Sequence, residues 1–160
     1  MDQRVYNMSI NLHSSLLPRK AILAIAAVID VALHARPTPV AAKALAQRHN
    51  LPPRHLETLL QDLVHAQILK GVRGPKGGYE LSRERRRISL ADIVRAALFT
   101  SSQPSVGQPE KSTLEAVILP HLESASLDFL SALDKISVED VCQSISQTKD
   151  GPTIVSDFTI

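Results

Sequence analysis

The side chains best suited to recognition chemistry lie on one face of a predicted helix. Between Pro53 and Gln67, leucines and a valine recur at three- and four-residue intervals, which predicts an amphipathic helix with a polar outer face. At the start of that face, an arginine such as Arg54 can pair with guanine, and Glu57 can accept a hydrogen bond from the amino group of cytosine. The candidate base contacts are Arg54, His55, Glu57, Thr58 and Gln61. For an isolated helix, the same pattern is more typical of a solvated face; the segment that follows favours the recognition role.

A basic, glycine-rich segment follows this helix. Residues 70–87 carry seven basic and two acidic side chains, and four of the six glycines fall between Gly71 and Gly78. The pattern predicts a β-hairpin whose tip can approach a sugar-phosphate backbone closely. Its candidate contacts are Arg73, Gly74, Pro75, Lys76, Gly77, Gly78 and Tyr79. Because no Lys-Ser/Thr pair opens a helix behind the glycines, a Walker-type nucleotide site is not supported.

The elements before these segments complete a known arrangement. Breaker residues delimit a first helix from Arg19 to Ala35 and a short second helix from Val40 to Gln47, ending near Asn50. Two helices joined tightly to a third, followed by a hairpin, predict a mainly α winged helix-turn-helix over residues 15–98. Arg19 and Lys20, at the start of the first helix, are further candidate contacts to phosphate.

The second part of the chain predicts a linker and further helices. Ser89 and Asp92 resemble a capping box that opens a helix through Leu98, and residues 99–112 have the composition of a linker. Residues 113–148 predict an apolar helix, kinked or divided at Pro120, and a short final helix from Ser137; residues 149–160 form a tail. The apolar stripe favours a C-terminal dimerisation helix, with intramolecular packing as the alternative. Its predicted contacts are Leu114, Ile118, Leu122, Phe129, Leu130 and Leu133.

Composition excludes several classes of protein. The 160 residues include one Cys, so neither a disulfide framework nor a cysteine-rich zinc site is expected. Residues 1–98 carry a net charge of +8 and residues 99–160 a net charge of −6, which favours a polyanionic partner for the first part. The apolar run from Ala21 to Leu33 is too short to span a bilayer, and we interpret it as part of a helix rather than a signal peptide. No catalytic arrangement is evident, and the six histidines lack the spacing of metal ligands.

Several motifs together resemble a known family. They are Asp30-Val31-Ala32-Leu33-His34, Leu56-Glu57, the run from Val72 to Leu81, and Ile88-Ser89-Leu90-Ala91-Asp92-Ile93. The sequence is similar to the Rrf-type repressor family, which includes IscR, NsrR and CymR, over roughly residues 15–98 and more faintly to Cys142. The resemblance implies a dimeric bacterial winged-helix transcription factor that binds an inverted repeat. It also implies that Glu57 reads bases and that the wing enters the minor groove.

The sequence departs from this family at two places. Members that bind an iron-sulfur cluster place three cysteines between the fourth helix and the dimerisation helix, whereas residues 99–112 contain none. We therefore predict no iron-sulfur centre and no other cofactor. IscR-like members often carry Ser or Thr where this chain has Pro52, Pro53 and Arg54, so their operator sequence does not transfer.

The sequence as a whole predicts a cytoplasmic homodimeric regulator of transcription, a repressor without enzymatic activity. Its partners are double-stranded DNA and a second copy of itself, with no membrane, while the effector is left open. Two alternatives remain: a winged-helix module that binds proteins, and a redox sensor that uses the thiol of Cys142.

Overall fold

The computed structural model describes residues 16–99 and 113–148. Within these ranges the helices are α1 (Arg19–His34), α2 (Ala42–Arg48), α3 (Pro53–His65), α4 (Leu90–Phe99), α5 (Thr113–Asp134) and α6 (Val138–Thr148). Two strands, β1 (Leu69–Val72) and β2 (Gly78–Leu81), pair antiparallel, and a short 3-10 helix follows at Arg85–Arg87. The mainly α winged helix-turn-helix predicted from the sequence is confirmed. Most of the predicted linker and the whole predicted tail lie outside the described residues.

Helix α1 is the helix around which the others pack. Ala21, Ala24, Ala27, Val28 and Val31 recur at helical spacing and are fully buried. Their small or β-branched side chains allow α3, α4, α6 and strand β2 all to contact α1. The core is therefore aliphatic, as the low aromatic content suggests.

Helices α2 and α3 are separated by a tight turn. Asn50 has φ of 49°, the left-handed conformation expected at a helix stop, and Pro53 occupies the first turn of α3. Helix α2 begins later than predicted because the backbone of Val40 bridges to Tyr79 instead of entering the helix. Helix α3 ends earlier than predicted, because Gln67 has φ of 55° and the Ile68 N–H bonds back to the Leu63 carbonyl at 2.9 Å.

Two capping boxes lie side by side. The Ser89 hydroxyl accepts a hydrogen bond from the Asp92 N–H at 3.0 Å, and Asp92 Oδ2 accepts one from the Ser89 N–H at 3.3 Å. Ser137 and Asp140 make the same reciprocal pair at 3.2 and 2.8 Å. The two serines also form an antiparallel bridge. This bridge fixes the start of α6 beside the start of α4.

Helix α6 belongs to the same core as the helices before Phe99. Val138 is fully buried and Cys142 is 3% exposed, both in the cluster built on α1. Helix α5, by contrast, is continuous through Pro120, and the C-terminal end of α5 contacts α4. Arg95 of α4 donates two hydrogen bonds to Asp134 at the end of α5, at 3.0 and 2.7 Å. This contact anchors the long helix at one end.

Candidate nucleic-acid interface

Helix α3 presents one apolar and one polar face. Leu56, Leu59, Leu60 and Leu63 are all buried at 3% exposure or less. On the opposite side the structure brings together four of the five predicted base contacts, all exposed: Arg54, Glu57, Thr58 and Gln61. The side chain of the fifth, His55, lies outside the described residues. The polar face is therefore open to a partner.

Helix α3 is fixed to α1 by a charged contact. Lys20 Nζ lies 2.8 Å from Asp62 Oδ2, and Asp62 is 7% exposed. The ammonium group of Lys20, a predicted phosphate contact, neutralises this buried carboxylate of the third helix. Its neighbour Arg19 remains exposed. Lys20 thus has a structural role that sequence spacing did not indicate.

The hairpin tip is a tight turn that projects two cations. The Gly77 N–H bonds to the Gly74 carbonyl at 2.9 Å, closing a four-residue turn with Pro75 in its second position. Gly74 has φ of 119°, which side-chain-bearing residues rarely adopt. Arg73 and Lys76 are exposed on this turn. The tip therefore combines a fixed backbone with two accessible positive charges.

The wing is attached to the segment that leads into α2. Val40 N lies 2.9 Å from Tyr79 O, and Tyr79 N lies 2.8 Å from Val40 O. A Cβ atom added at Gly78 would lie 2.4 Å from the Val40 carbonyl oxygen, so only glycine permits this approach. We predicted that Gly78 allows close contact with a partner; in the structure its missing side chain also serves the packing of the wing itself.

Tyr79 also brings the wing close to the polar face of α3. The tyrosine is half-buried, and its pKa is raised first by burial and second by the negative charge of Glu57. The influence of Glu57 on Tyr79 indicates that the start of β2 lies near the first turns of the helix. The polar face of α3 and the basic hairpin are both exposed.

A buried charge cluster joins α1 to α2, and sequence reasoning missed it. Asp30 is 7% exposed, and its Oδ2 accepts hydrogen bonds from Arg48 Nε at 2.8 Å and His49 Nε2 at 3.0 Å. Its Oδ1 lies 2.7 Å from Arg48 Nη2 and 2.8 Å from His34 Nδ1, in charge contacts without hydrogen-bond geometry. The available signal was an aspartate inside the apolar run of α1. A buried carboxylate requires such partners.

The cluster lowers the pKa of its carboxylate. Burial raises the pKa of Asp30, but hydrogen bonds from His49 and Arg48, with the charges of Arg48 and His34, lower it to about 2. Asp30 is therefore ionised at neutral pH. Its charge holds the C-terminal end of α2 against α1 through Arg48 and His49.

The single thiol is poorly placed for chemistry. Cys142 is 3% exposed, and burial raises its pKa, an effect that the charge of Arg85 opposes and that of Glu139 reinforces. A raised pKa reduces the fraction of reactive thiolate. Within the described residues, no group of three or more His, Cys, Asp or Glu side chains is arranged to hold a metal ion.

The two ends of α5 differ in their surroundings. Ile118 and Leu122 are 42% and 56% exposed, whereas Leu130 and Leu133 are half-buried and pack against the core. Phe129 is also half-buried, and the side chain of Leu114 is not described. In the part of the chain that the structure describes, residues 116–134 form the one helix with the length and composition to cross a membrane. The exposed part of this helix has apolar side chains without a described partner.

A short helix, a third helix with an open polar face, and a basic hairpin define the class of winged helix-turn-helix transcriptional regulators. The chain belongs to the Rrf2 family, described as iron-dependent transcriptional regulators, whose model matches residues 17–144. The resemblance noted in the sequence is thereby confirmed.

Individual relatives agree with this assignment. A protein of Synechocystis sp. named as an HTH-type transcriptional regulator is 34% identical over 127 residues, covering 78% of this chain and 86% of the relative. The regulator IscR of Xenorhabdus nematophila is 36% identical over 80 residues, 50% of this chain and 49% of its own length. The chain thus spans about half the length of that IscR.

Solved structures share the fold. The IscR of T. potens superimposes with a TM-score of 0.65 at 28% identity, covering 86% of this chain and 93% of that one. CymR of B. subtilis, a global cysteine regulator, gives a TM-score of 0.59 at 25% identity, covering 80% and 96%. The chain is therefore a transcriptional regulator with the architecture of these proteins.

Proposed function

We propose that this regulator is a repressor that binds an inverted repeat in double-stranded DNA as a homodimer, in the cytoplasm and without enzymatic activity. The observation that carries the proposal is the exposed polar face of α3 together with the exposed basic wing that follows it in the chain. A protein-binding module of the same fold would not require a positively charged hairpin beside a polar helix face.

The polar face of α3 suits the major groove. Arg54 and Glu57 lie in its first turns, where the side chains of a recognition helix reach base edges first. Arg54 offers a bidentate donor to guanine, and Glu57 accepts from the amino group of cytosine. Thr58 and Gln61, one turn further along the same face, extend the reading surface. We assign His55 to this set from its position in the sequence.

The wing suits the minor groove and its phosphates. Arg73 and Lys76 supply positive charge at a turn whose backbone is fixed by Gly74 and Gly77. These contacts neutralise phosphate irrespective of base identity, so they contribute affinity rather than sequence preference. Of the remaining predicted wing contacts, Pro75 shapes the turn, and Gly78 and Tyr79 hold the hairpin against the backbone of Val40.

Dimerisation through α5 accounts for its exposed apolar side chains. Ile118 and Leu122 lie four residues apart on one face, the spacing with which a second α5 helix would pack. A lipid bilayer is a less suitable environment, because Glu123 and Asp128 lie within the exposed helix. An inverted repeat requires the two recognition helices of such a dimer to lie about one DNA turn apart, ~34 Å.

The residues of this chain do not fit an iron-sulfur cluster of the cysteine-ligated kind. The chain has one thiol, and that thiol is buried in the core beside α1. A dimer would offer two, fewer than such clusters use. We therefore propose regulation that does not pass through a cluster. The raised pKa of Cys142 also disfavours thiol-based sensing.

Selection of genomic fragments by the purified full chain tests this function. We expect retained fragments to share an inverted repeat with half-sites about one helical turn apart, and retention to weaken steeply with salt. Retention without a shared sequence, or binding insensitive to salt, would instead support the protein-binding alternative.

A further inference from the structure

A cleft of about 500 Å³ lies behind the wing, outside the surface assigned to DNA. Its walls are the C-terminal end of α1, the β-hairpin and the segment from Ser82 to Arg87. This volume falls in the range of small-molecule sites, roughly 300 to 1,000 Å³. A concave space of this size admits a metabolite but not a duplex.

The cleft is lined by more positive than negative charge. Five of its lining residues are basic, Arg36, Lys70, Arg83, Arg85 and Arg87, and two are acidic, Glu80 and Glu84. Both acidic groups are already neutralised, since Glu80 lies 3.3 Å from Lys70 Nζ and Glu84 lies 2.6 Å from Arg86 Nε. A third carboxylate, Glu139 of α6, borders the adjoining groove. The surplus charge comes from the arginines.

Two of these arginines have no side-chain partner among the residues that the structure describes. Within residues 16–99 and 113–148, the side chains of Arg36 and Arg87 make no ion pair or hydrogen bond, whereas Arg83 lies 3.8 Å from Asp92. Arg36 follows α1 and Arg87 ends the 3-10 helix, so they approach the cleft from different elements. Planar guanidinium groups match the oxygens of phosphate bidentately.

Arg85 removes the main electrostatic obstacle to an anion in the cleft. The C-terminal end of α1 contributes Val31, Ala32 and Ala35 to the wall, and exposed carbonyls at a helix C-terminus repel anions. The Arg85 guanidinium donates a hydrogen bond to the Ala32 carbonyl oxygen. The negative end of the helix is thereby covered by a cation.

We propose that this cleft binds a small phosphate-bearing molecule, with Arg36 and Arg87 as its principal ligands. The ligand would contact α1 and the hairpin at once, because Lys70 and Glu80 of the paired strands line the same cleft. The idea that this molecule is an effector of DNA binding rests on the proposed function. Its binding to the cleft does not, because that affinity is measured in the absence of DNA.

Calorimetric titration of the full chain with inorganic pyrophosphate tests the site, against sodium chloride at matched ionic strength. We expect saturable binding to the unmodified protein. The double variant Arg36→Gln/Arg87→Gln should bind about tenfold or more weakly, because two charge-assisted contacts are lost. The control Lys43→Gln/Lys135→Gln removes the same charge from exposed lysines outside the cleft and should change affinity less than about twofold.

The proposal is overturned by heats no larger than those of sodium chloride, or by equal losses in the two double variants, which would indicate a general ion atmosphere. A third measurement separates small anions from DNA phosphate. Arg36→Gln/Arg87→Gln should retain its affinity for DNA fragments; a parallel loss of DNA and pyrophosphate binding would assign these arginines to DNA and reject the small-molecule site. Circular dichroism confirms that each variant is folded.

Discussion

The backbones of Val40 and Tyr79 exchange two hydrogen bonds, of 2.9 and 2.8 Å, between the entrance to α2 and the start of strand β2. Through this pair, the wing is attached just after its own turn to the segment that leads into α2. The negative charge of Glu57 contributes to the raised pKa of Tyr79, so the same residue also lies near the first turns of α3. The orientation of the wing is therefore set by packing rather than by the hairpin alone.

Replacing Gly78 tests this attachment. In Gly78→Ala the new Cβ would lie 2.4 Å from the Val40 carbonyl oxygen, and backbone must move to relieve the clash. We expect the free energy of unfolding in urea to fall by ~1 to 3 kcal/mol. Gly71→Ala is the matched control, because no heavy atom lies within 4 Å of its added Cβ. Equal losses in the two variants would contradict the proposed role of the Val40 contact.

The buried cluster at Asp30 predicts a stability that depends on pH. The folded-state pKa of Asp30 is about 2, below the ordinary value of 3.8, so its contribution is complete above that ordinary value and lost as pH falls toward 2. Urea unfolding of the protein and of Asp30→Asn should show a stability difference that shrinks by ~2 kcal/mol between pH 5 and pH 2. A difference that is constant over this range would contradict the assignment.

The proposed phosphate contact of Lys76 predicts how the affinity for DNA depends on salt. Lys76→Ala removes one phosphate contact, so affinity should fall for all DNA sequences alike, and the slope of log affinity against log salt should decrease by ~0.9. Lys135→Ala removes an exposed lysine beyond α5 and should leave the slope unchanged. If both variants shift the slope equally, the effect reflects total charge and not a wing contact.

The exposed face of α5 predicts the oligomeric state. Leu122→Asp should convert a dimer to a monomer, as measured by light scattering after size-exclusion chromatography, because a charge would be buried between the helices. Leu127, 67% exposed and about 140° around the helix from Leu122, provides the control Leu127→Asp, which should remain dimeric. Leu130 is less informative, since it also packs against the core of its own chain. A monomeric unmodified protein would contradict the proposal.

Features set by neighbouring residues were predictable from sequence. The left-handed turn at Asn50 and both Ser-to-Asp capping boxes depend on residues within one turn of the chain, and the structure contains all three. The four exposed side chains on α3 follow from helical periodicity in the same way. Local patterns therefore identified the elements and the face of the candidate site.

Contacts between distant residues were not predictable. Nothing near Val40 indicates that Tyr79 will bond to its backbone, and nothing near Asp30 identifies Arg48 and His49 as its partners. The pairing of Lys20 with Asp62 was likewise not predictable, because the spacing of a single helix does not reveal a partner on another helix. These pairings depend on tertiary packing, which sequence periodicity does not encode.

Base reading by α3 is the central element of the proposed function, and Glu57→Ala tests it directly. Affinities of the unmodified protein and the variant are measured for a selected operator and for its full set of single-base substitutions. We expect the variant to lose ~1 to 3 kcal/mol of discrimination at one position of each half-site and to retain the preference elsewhere. An identical preference profile, or a uniform loss at every position, would contradict it.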